Sequence, residues 1–570
     1  MIYSRKLSMK YRVWQIVSRY LKGRSRKSQV DEHCEDGTPS SCSKSEGLEI
    51  GQGRRWYDYI YRALRGILSI RLCMQIPFVK RDKIVAALNW LIPFYEHDCD
   101  IDRPLDSWMH NLHVPASEHV VVPSIWLVEL FLPSDLPDLK KSLHLNGWNF
   151  NRSLFSTDAS NQETLDRARS HREVLEWKIV SIARPGLGFR GMNSVTECLP
   201  EPFDMIEIQA VQVGQGLTAV VVKFDLQDDA ACLLDVEWHM RHEPRLILRG
   251  ARPCSLDRRE AAMYNVQSAR LSVHQHARDW LASRIPGFFN RANKPHPVLD
   301  LMLFDLFDPI VDKTRVLTDD QRISERDAFR ALGVQSDPIT MLVSDLLPKF
   351  VLGSTKSLGF GLLADYPIWT LSANRAAVTD VGELSNMSAS DAEQNRYIAY
   401  YVGRELRYLL VMVAVSYYLE VTEECLAQIR DHASLRHGRF RLREVNLLRK
   451  NILSHSLDLV AVHRGVAEFW ELSQRLDLMP AFNYVRSPRY ADPAVKSDVY
   501  LGVGKCFDAM IRDVHEKCFE RLLQDDQHYR DILSTVSSLG SSVFSSRIGW
   551  LALIISAVTL FVAVVTLFVS

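Results

Sequence analysis

Val120-Val-Val-Pro-Ser-Ile-Trp-Leu-Val-Glu-Leu-Phe-Leu132 is a β-branched, apolar run, as expected for a strand buried on both faces. Pro133-Ser134-Asp135 follows it and opens a helix predicted over Leu136 to Asn146, which stops at Gly147. Downstream, Trp177 to Ala183 reads as a strand. Met205 to Val213 and Leu217 to Phe224 are two more, joined by Gly214-Gln215-Gly216, a hairpin signal. Asp228 to Arg241 reads as a helix. The order strand, helix, strand, strand, helix predicts an α+β region of ferredoxin-like sandwich type.

Upstream, Trp56 to Leu72 and Lys83 to Tyr95 carry helical spacing, with Tyr57, Ile60, Tyr61, Leu64 and Leu68 on one face. Downstream, Ser255 to Arg284 reads as a long helix with Ser255 at its N-cap and Asp257 and Glu260 near its start. Val298 to Phe307, Thr340 to Leu347, Gly359 to Ala364 and Ile368 to Leu371 are later strand candidates. From Ser388 the pattern turns helical, over Ala392 to Ala433, Leu442 to Leu476 and Asp498 to Ser542, with Pro480, Pro488 and Pro493 between the last two. Tyr408 to Leu419 is apolar throughout, but at that length it suits a buried core helix rather than a membrane span. The expected organisation is a basic segment and linker over residues 1–54, a helical segment over 55–115, an α+β region over 116–386, a helical bundle or stalk over 387–546 and a terminal segment over 547–570.

The 570 residues are 47% hydrophobic and 24% charged, and 69 basic residues balance 69 acidic ones. That is globular composition, and the zero net charge gives no argument for a nucleic-acid partner. Ten cysteines are scattered without a CxxC pair, which argues against a zinc ribbon and for free thiols in a reducing compartment.

The end of the chain predicts a membrane anchor. From Ile548 about 22 uncharged residues run to Val569, long enough as a helix to cover a hydrocarbon core of about 30 Å. Ile548, Leu551, Ile554, Ile555, Leu560, Phe561, Leu567 and Phe568 supply its apolar surface, and Trp550 sits at one edge beside Arg547. Ser556, Thr559 and Thr566 can return their hydroxyls to the helix backbone. With no apolar stretch of signal-peptide type near Met1, this reading gives a tail-anchored, single-pass protein in a lipid bilayer with the bulk of the chain cytoplasmic.

Residues 1–27 hold nine basic residues and no acids, a composition suited to contact with anionic lipid, to a solvated terminus or to a targeting sequence. Gly23 to Gly53 reads as a flexible linker. In the last helix Phe507, Ile511, Val514, Cys518 and Leu522, then Ile532, Val536, Leu539 and Val543, form a heptad-like, coiled-coil seam that Asp525 and Asp526 interrupt. Packing on the two preceding helices as a three-helix bundle is the favoured reading, and self-association through helices over 498–569 the other.

The motifs for chemistry are weak. Gly186-Leu-Gly-Phe-Arg-Gly191 matches GxGxxG, but no helix start follows it. Gly502-Val-Gly-Lys505 lacks the first glycine of a phosphate loop, Val499 standing in its place. His110, His113 and His119, with His97, Cys99 and Asp100, are the densest set of metal-ligand types; His239 with His242 and His274 with His276 are sparser. Spacing alone fixes no metal site and no cofactor among them. Isolated acids near strand ends, Glu129 and Asp135, are expected at the surface.

These features favour a sensor, effector or scaffold with a large ligand- or partner-binding region. An oligomeric channel is the alternative, because an α+β region feeding long helices and a membrane segment resembles in outline the CorA-type magnesium channels. That family has two spans joined by a Gly-Met-Asn turn, whereas here Gly191-Met-Asn193 lies far from the terminal segment, and no residue is carried over. An enzyme whose catalytic groups lie far apart in sequence is the third reading.

Overall fold

In the computed structural model, Ser124–Phe131 forms a strand with every residue buried. Its side chains divide by period two: Ile125, Leu127 and Phe131 enter one apolar cluster, Trp126, Val128 and Leu130 another. A strand buried on both faces must be covered on both, and this requirement organises the fold.

The structure describes residues 56–69, 78–105, 110–150, 160–170, 175–187, 194–249, 252–310, 319–335, 339–355, 368–379, 390–435, 442–476, 478–487 and 503–569. The chain divides into two compact units, residues 1–84 and 85–570. In the first, helix α1 (Trp56–Ser69) buries Tyr57 and leaves Trp56, Tyr59 and Ile60 exposed. Helix α2 (Phe78–Asp102) runs across the boundary with Pro93 inside it.

In the second unit the order is β1 (Val120–Val121), β2 (Ser124–Phe131), α3 (Leu136–Leu145), α4 (Asn161–Ser170), β3 (Leu175–Ala183), β4 (Ser194–Thr196), β5 (Phe203–Val213) and β6 (Leu217–Leu226). Then come α5 (Asp228–Ala231), α6 (Leu233–His239), β7 (Arg245–Arg249), β8 (Arg252–Leu256), α7 (Arg258–Arg284), α8 (Phe288–Arg291), β9 (Val298–Phe304) and α9 (Asp319–Ala331). The chain closes with β10 (Thr340–Ser344), β11 (Val351–Ser354), β12 (Ile368–Asn374), α10 (Arg375–Thr379), α11 (Asp391–Leu435), α12 (Leu442–Leu476), β13 (Phe482–Arg486) and α13 (Phe507–Val569).

Eleven strands form one mixed sheet in the order β13-β10-β11-β12-β9-β2-β6-β5-β3-β4, with β1 also paired to β9. β9 pairs with β12 in parallel, and β3 with β4; the remaining pairs are antiparallel. Helices α3, α6, α7 and α9 contribute to the apolar layer on one face; α11, α12 and α13 form the layer on the other. Leu409 to Val415, seven successive residues of α11, are buried. A helix that is apolar all round needs neighbours all round; α11 meets them in strands β2 and β6 and in α13.

This architecture corrects the expected fold class. The region is not a ferredoxin-like sandwich followed by a separate stalk, but one large mixed α/β sheet covered on both faces. The long helices share a core with the sheet, where Trp126 and Val221 pack with Val402, Leu406 and Phe469. After α12 the chain returns to the sheet as β13 beside β10. In the final helix Phe507, Ile511, Phe519 and Leu522 are buried while Val514 is exposed.

The membrane reading is corrected as well. Among the described residues, no helix is long and apolar enough to cross a membrane. The run from Ile548 continues α13 rather than forming a separate segment. Side chains of this run are described only between Trp550 and Thr559. Of these, Trp550, Leu553, Ile554 and Ile555 are exposed, and the Thr559 hydroxyl donates to the Ile555 carbonyl at 2.7 Å. The single-pass, tail-anchored placement and the membrane localisation fall with the anchor. The side chains of Ile548, Leu551, Leu560, Phe561, Leu567 and Phe568 lie outside those described. So do residues 1–27, the linker and the strand candidate Gly359 to Ala364.

Local differences have local causes. Asp257, not Ser255, caps α7 by accepting from Glu260 N at 2.7 Å, because Ser255 is taken up by β8. The β5–β6 hairpin lies on α12 through glycines. A Cβ on Gly465 would stand 2.6 Å from the Val213 carbonyl oxygen, and one on Gly216 would overlap the Ala461 carbonyl. Gly216→Ala is expected to destabilise the fold by about 2–4 kcal/mol, as overpacking against rigid backbone does, read as a lower urea midpoint at unchanged slope.

A second test concerns His515 of α13. Trp470 Nε1 donates to His515 Nδ1 at 3.4 Å. The proton therefore sits on Nε2, 2.7 Å from the Ser416 hydroxyl, which donates to the Met412 carbonyl at 3.2 Å. Burial holds this imidazole down at about 3. The unfolded chain takes up the proton near the ordinary value of about 6.5, so stability is full above that pH and falls as pH drops from there towards 3. The expected loss is up to about 1.4 kcal/mol per pH unit, and His515→Gln removes that share of the slope in urea titrations run across the window.

Candidate functional site

Most of the sheet face under α11 is apolar, but one end carries a row of charge. On β6 Lys223 and Asp225 follow Val221 at period two. On β5 Glu207 lies opposite Lys223, on β3 Ser181 opposite Glu207, and on β2 Ser124 opposite Asp225. Lys178 Nζ is 2.8 Å from one oxygen of Glu207, and Lys223 Nζ is 3.7 Å from the other. Lys223 Nζ also reaches Asp225 at 3.0 Å, and the Ser124 hydroxyl bonds to the same carboxylate. Burial would raise the Glu207 carboxyl, but Lys223 and Lys178 together hold it below its usual range. Asp225 is raised, because burial outweighs Lys223 there, and its Oδ2 has no hydrogen-bond partner. Such a row costs the fold several kcal/mol in desolvation, and apolar residues of similar size often serve stability better.

Helix α11 crosses this row at close range. A Cβ on Gly403 would stand 3.0 Å from the Trp126 indole nitrogen. Tyr400, Arg404 and Arg407, spaced three and four apart, share the face that turns towards the charged end. Together with Trp126, Glu207, Gln209, Val221, Lys223 and Gly403 they line an open cleft of about 50 Å³. Its lining carries three cations, Lys223, Arg404 and Arg407, against one carboxylate, Glu207. Arg407 is tied to Glu176 and donates to the Arg404 carbonyl at 3.4 Å. Arg404 lies over the Tyr401 ring at 5.3 Å and bonds Glu405 at 2.8 Å.

Two other buried charge networks differ in kind. Asp300 accepts from Arg270 Nε and, at 2.7 Å, from His274 Nε2, while Arg270 also donates to the Leu332 carbonyl and the Thr370 hydroxyl. Burial alone would raise Asp300, yet Arg270 and His274 hold it at about 2. His274 stays neutral because burial lowers its pKa, and its Nδ1 has no acceptor for a second proton. Glu129 accepts from the backbone N–H of Leu130, Phe289 and Asn290 and from His296 Nε2 at 2.8 Å. Both carboxylates are sealed from solvent and saturated with donors, which fits tying elements together rather than meeting a ligand. Glu129 and Asp135 were expected at the surface; both are buried. Glu129 lies on β2 and Asp135 in the turn that follows it.

The sequence-dense histidines do not converge. Asp100 pairs with Arg103 at 2.6 Å and accepts from Ser255. His110 meets Arg103, and the His113 backbone N–H donates to Ser324. His242 bonds Asn265 and the Glu237 carbonyl, and His276 the Ser272 carbonyl. His119 instead meets Asp235 and His239. Of the glycine motifs, Gly186 has φ +98° in a turn and residues 188–193 lie outside the described residues. Gly504 and Lys505 pair with Tyr484 through their backbones.

No known protein family, curated protein or solved structure matches this chain. The site therefore rests on its own chemistry. Sequence reasoning missed the cleft because Lys223, Glu207 and Asp225 look like ordinary polar positions of alternating strands. The one available signal was a lysine set between apolar residues in Val220-Val-Val-Lys-Phe-Asp225.

If the charged row is not there for stability, removing it whole will cost nothing. Lys223→Met alone is expected to destabilise by about 3–5 kcal/mol, since it leaves buried Asp225 without its cation and Glu207 with Lys178 alone. The triple variant Glu207→Leu, Lys223→Met, Asp225→Leu is expected to match or exceed the parent in urea midpoint.

Proposed function

We propose that this chain is a binding protein of sensor or effector type that takes a small ligand through an anionic group, a carboxylate or a phosphate, in the cleft between the charged strand row and α11. The observation that carries the reading is the lining of three cations against one carboxylate. The volume supports it: about 50 Å³ is room for roughly four waters, the scale of one oxyanion head rather than a whole cofactor. Two guanidiniums offer paired N–H donors that suit planar or tetrahedral oxyanions.

The effector half of the reading rests on connectivity. Arg404 and Arg407 sit on the helix whose next two turns are locked in the core, and α11 packs along α13. A ligand that draws these arginines inward acts on the layer that includes the C-terminal helix. With no span among the described residues, the channel reading is not carried forward.

Titration of the full chain with inorganic phosphate and with citrate, by calorimetry and by thermal shift, tests this. Saturable binding of at least one is expected, with affinity falling tenfold or more in Arg404→Gln and in Arg407→Gln, since a charge-assisted hydrogen bond contributes about 1.5–3 kcal/mol. Arg404 is half exposed, so its variant should fold normally. Absence of saturable binding by both probes, or equal affinity in both variants, overturns the proposal.

A further inference from the structure

His119 stands just before β1, and Asp235 and His239 lie one turn apart on α6, so the fold closes 116 residues of chain to bring the first to the other two. His119 Nδ1 is 3.0 Å from Asp235 Oδ2, and His239 Nε2 is 3.5 Å from Asp235 Oδ1. One ligand atom from each of the three lies within 4.8 Å of the others. The imidazole rings are 5.5 Å apart, centroid to centroid. We propose that His119, Asp235 and His239 form a binding site for one divalent zinc-type ion.

The distances have the scale of a metal site. Ligand bonds of about 2.0–2.1 Å at tetrahedral angles put neighbouring donor atoms about 3.3 Å apart. The two separations from Asp235, 3.0 and 3.5 Å, bracket that value. Two imidazoles and one carboxylate make the donor set that suits zinc and its neighbours in the first transition row, and not magnesium or calcium.

The surroundings also fit. Asp235 Oδ1 accepts from the Val120 backbone N–H at 2.9 Å, which fixes the carboxylate from behind. Without an ion, His239 Nε2 donates to the Glu118 carbonyl at 2.8 Å, a proton that metal binding would displace. His119 is half exposed and His239 about a quarter exposed. Three protein ligands with an open, solvent-facing fourth position is the arrangement of a zinc site that keeps a water. The site is separate from the cleft under α11, and neither proposal depends on the other.

Without an ion, the alternative is a hydrogen-bonded pair of His119 and Asp235. Titrating the full chain with zinc by calorimetry, and with cobalt by visible absorption, separates the two. The expected result is one equivalent of zinc bound in the micromolar range or tighter, with cobalt bands typical of a four- or five-coordinate nitrogen–oxygen site. His119→Asn, Asp235→Asn and His239→Gln should each lower that affinity by tenfold or more while far-ultraviolet dichroism stays unchanged. The site lies near the surface, so these variants should fold; if one does not, His239→Phe and His119→Phe supply the same readout. No stoichiometric zinc uptake, or full affinity retained in any of the three variants, overturns the site.

Discussion

Strand β2 has no face left for water. Ile125, Leu127 and Phe131 feed one apolar layer and Trp126, Val128 and Leu130 the other, and each such side chain contributes about 1.5–3 kcal/mol only when it is covered. Two layers of helices follow from that condition. One is built from segments that precede β10, the other from the three long helices that follow β12. The apolar stretch of α11 is explained by the same constraint, since it is the middle of a sandwich with a sheet below and a helix above.

Close approach between layers depends on residues that lack bulk. Gly465 and Gly216 let the β5–β6 hairpin touch α12 through backbone, and Gly403 lets α11 lie on the Trp126 indole. Gly333 does the same for a buried cation: it has φ +83°, and the Arg270 guanidinium occupies the space where its Cβ would be. These positions set how near the helices come to the sheet. Between Gly403 and the end of β6, the gap that remains is filled by charge instead of methyl groups.

Charge inside this molecule comes in two kinds. At Asp300 and Glu129 every carboxylate oxygen meets a donor and the group is sealed, so it fixes the geometry of the sheet against α7 and α8. In the row of Lys223, Asp225 and Glu207, the charges are paired, and Lys223 and Glu207 line a cleft on one side, while buried Asp225 keeps one carboxylate oxygen without a partner. A sealed network organises a fold; a network with an open side offers that organisation to something outside it.

The sequence by itself determined the elements. The period-two run at β2, the hairpin around Gly214 to Gly216, and the helices over Leu442 to Leu476 and through Tyr408 to Leu419 are readable because periodicity and turn chemistry are local properties. It did not show that the helical third of the chain rejoins the sheet through β13, since a five-residue strand among prolines has no long-range signal of its own. It also misjudged the terminal apolar run, because length and hydropathy describe a segment apart from the helix that it continues. Only the tertiary structure decided which polar residues meet. His119 and Asp235, or Glu176 and Arg407, lie more than a hundred residues apart, and their contact exists only once burial of two apolar faces has offset the entropy of closing those loops.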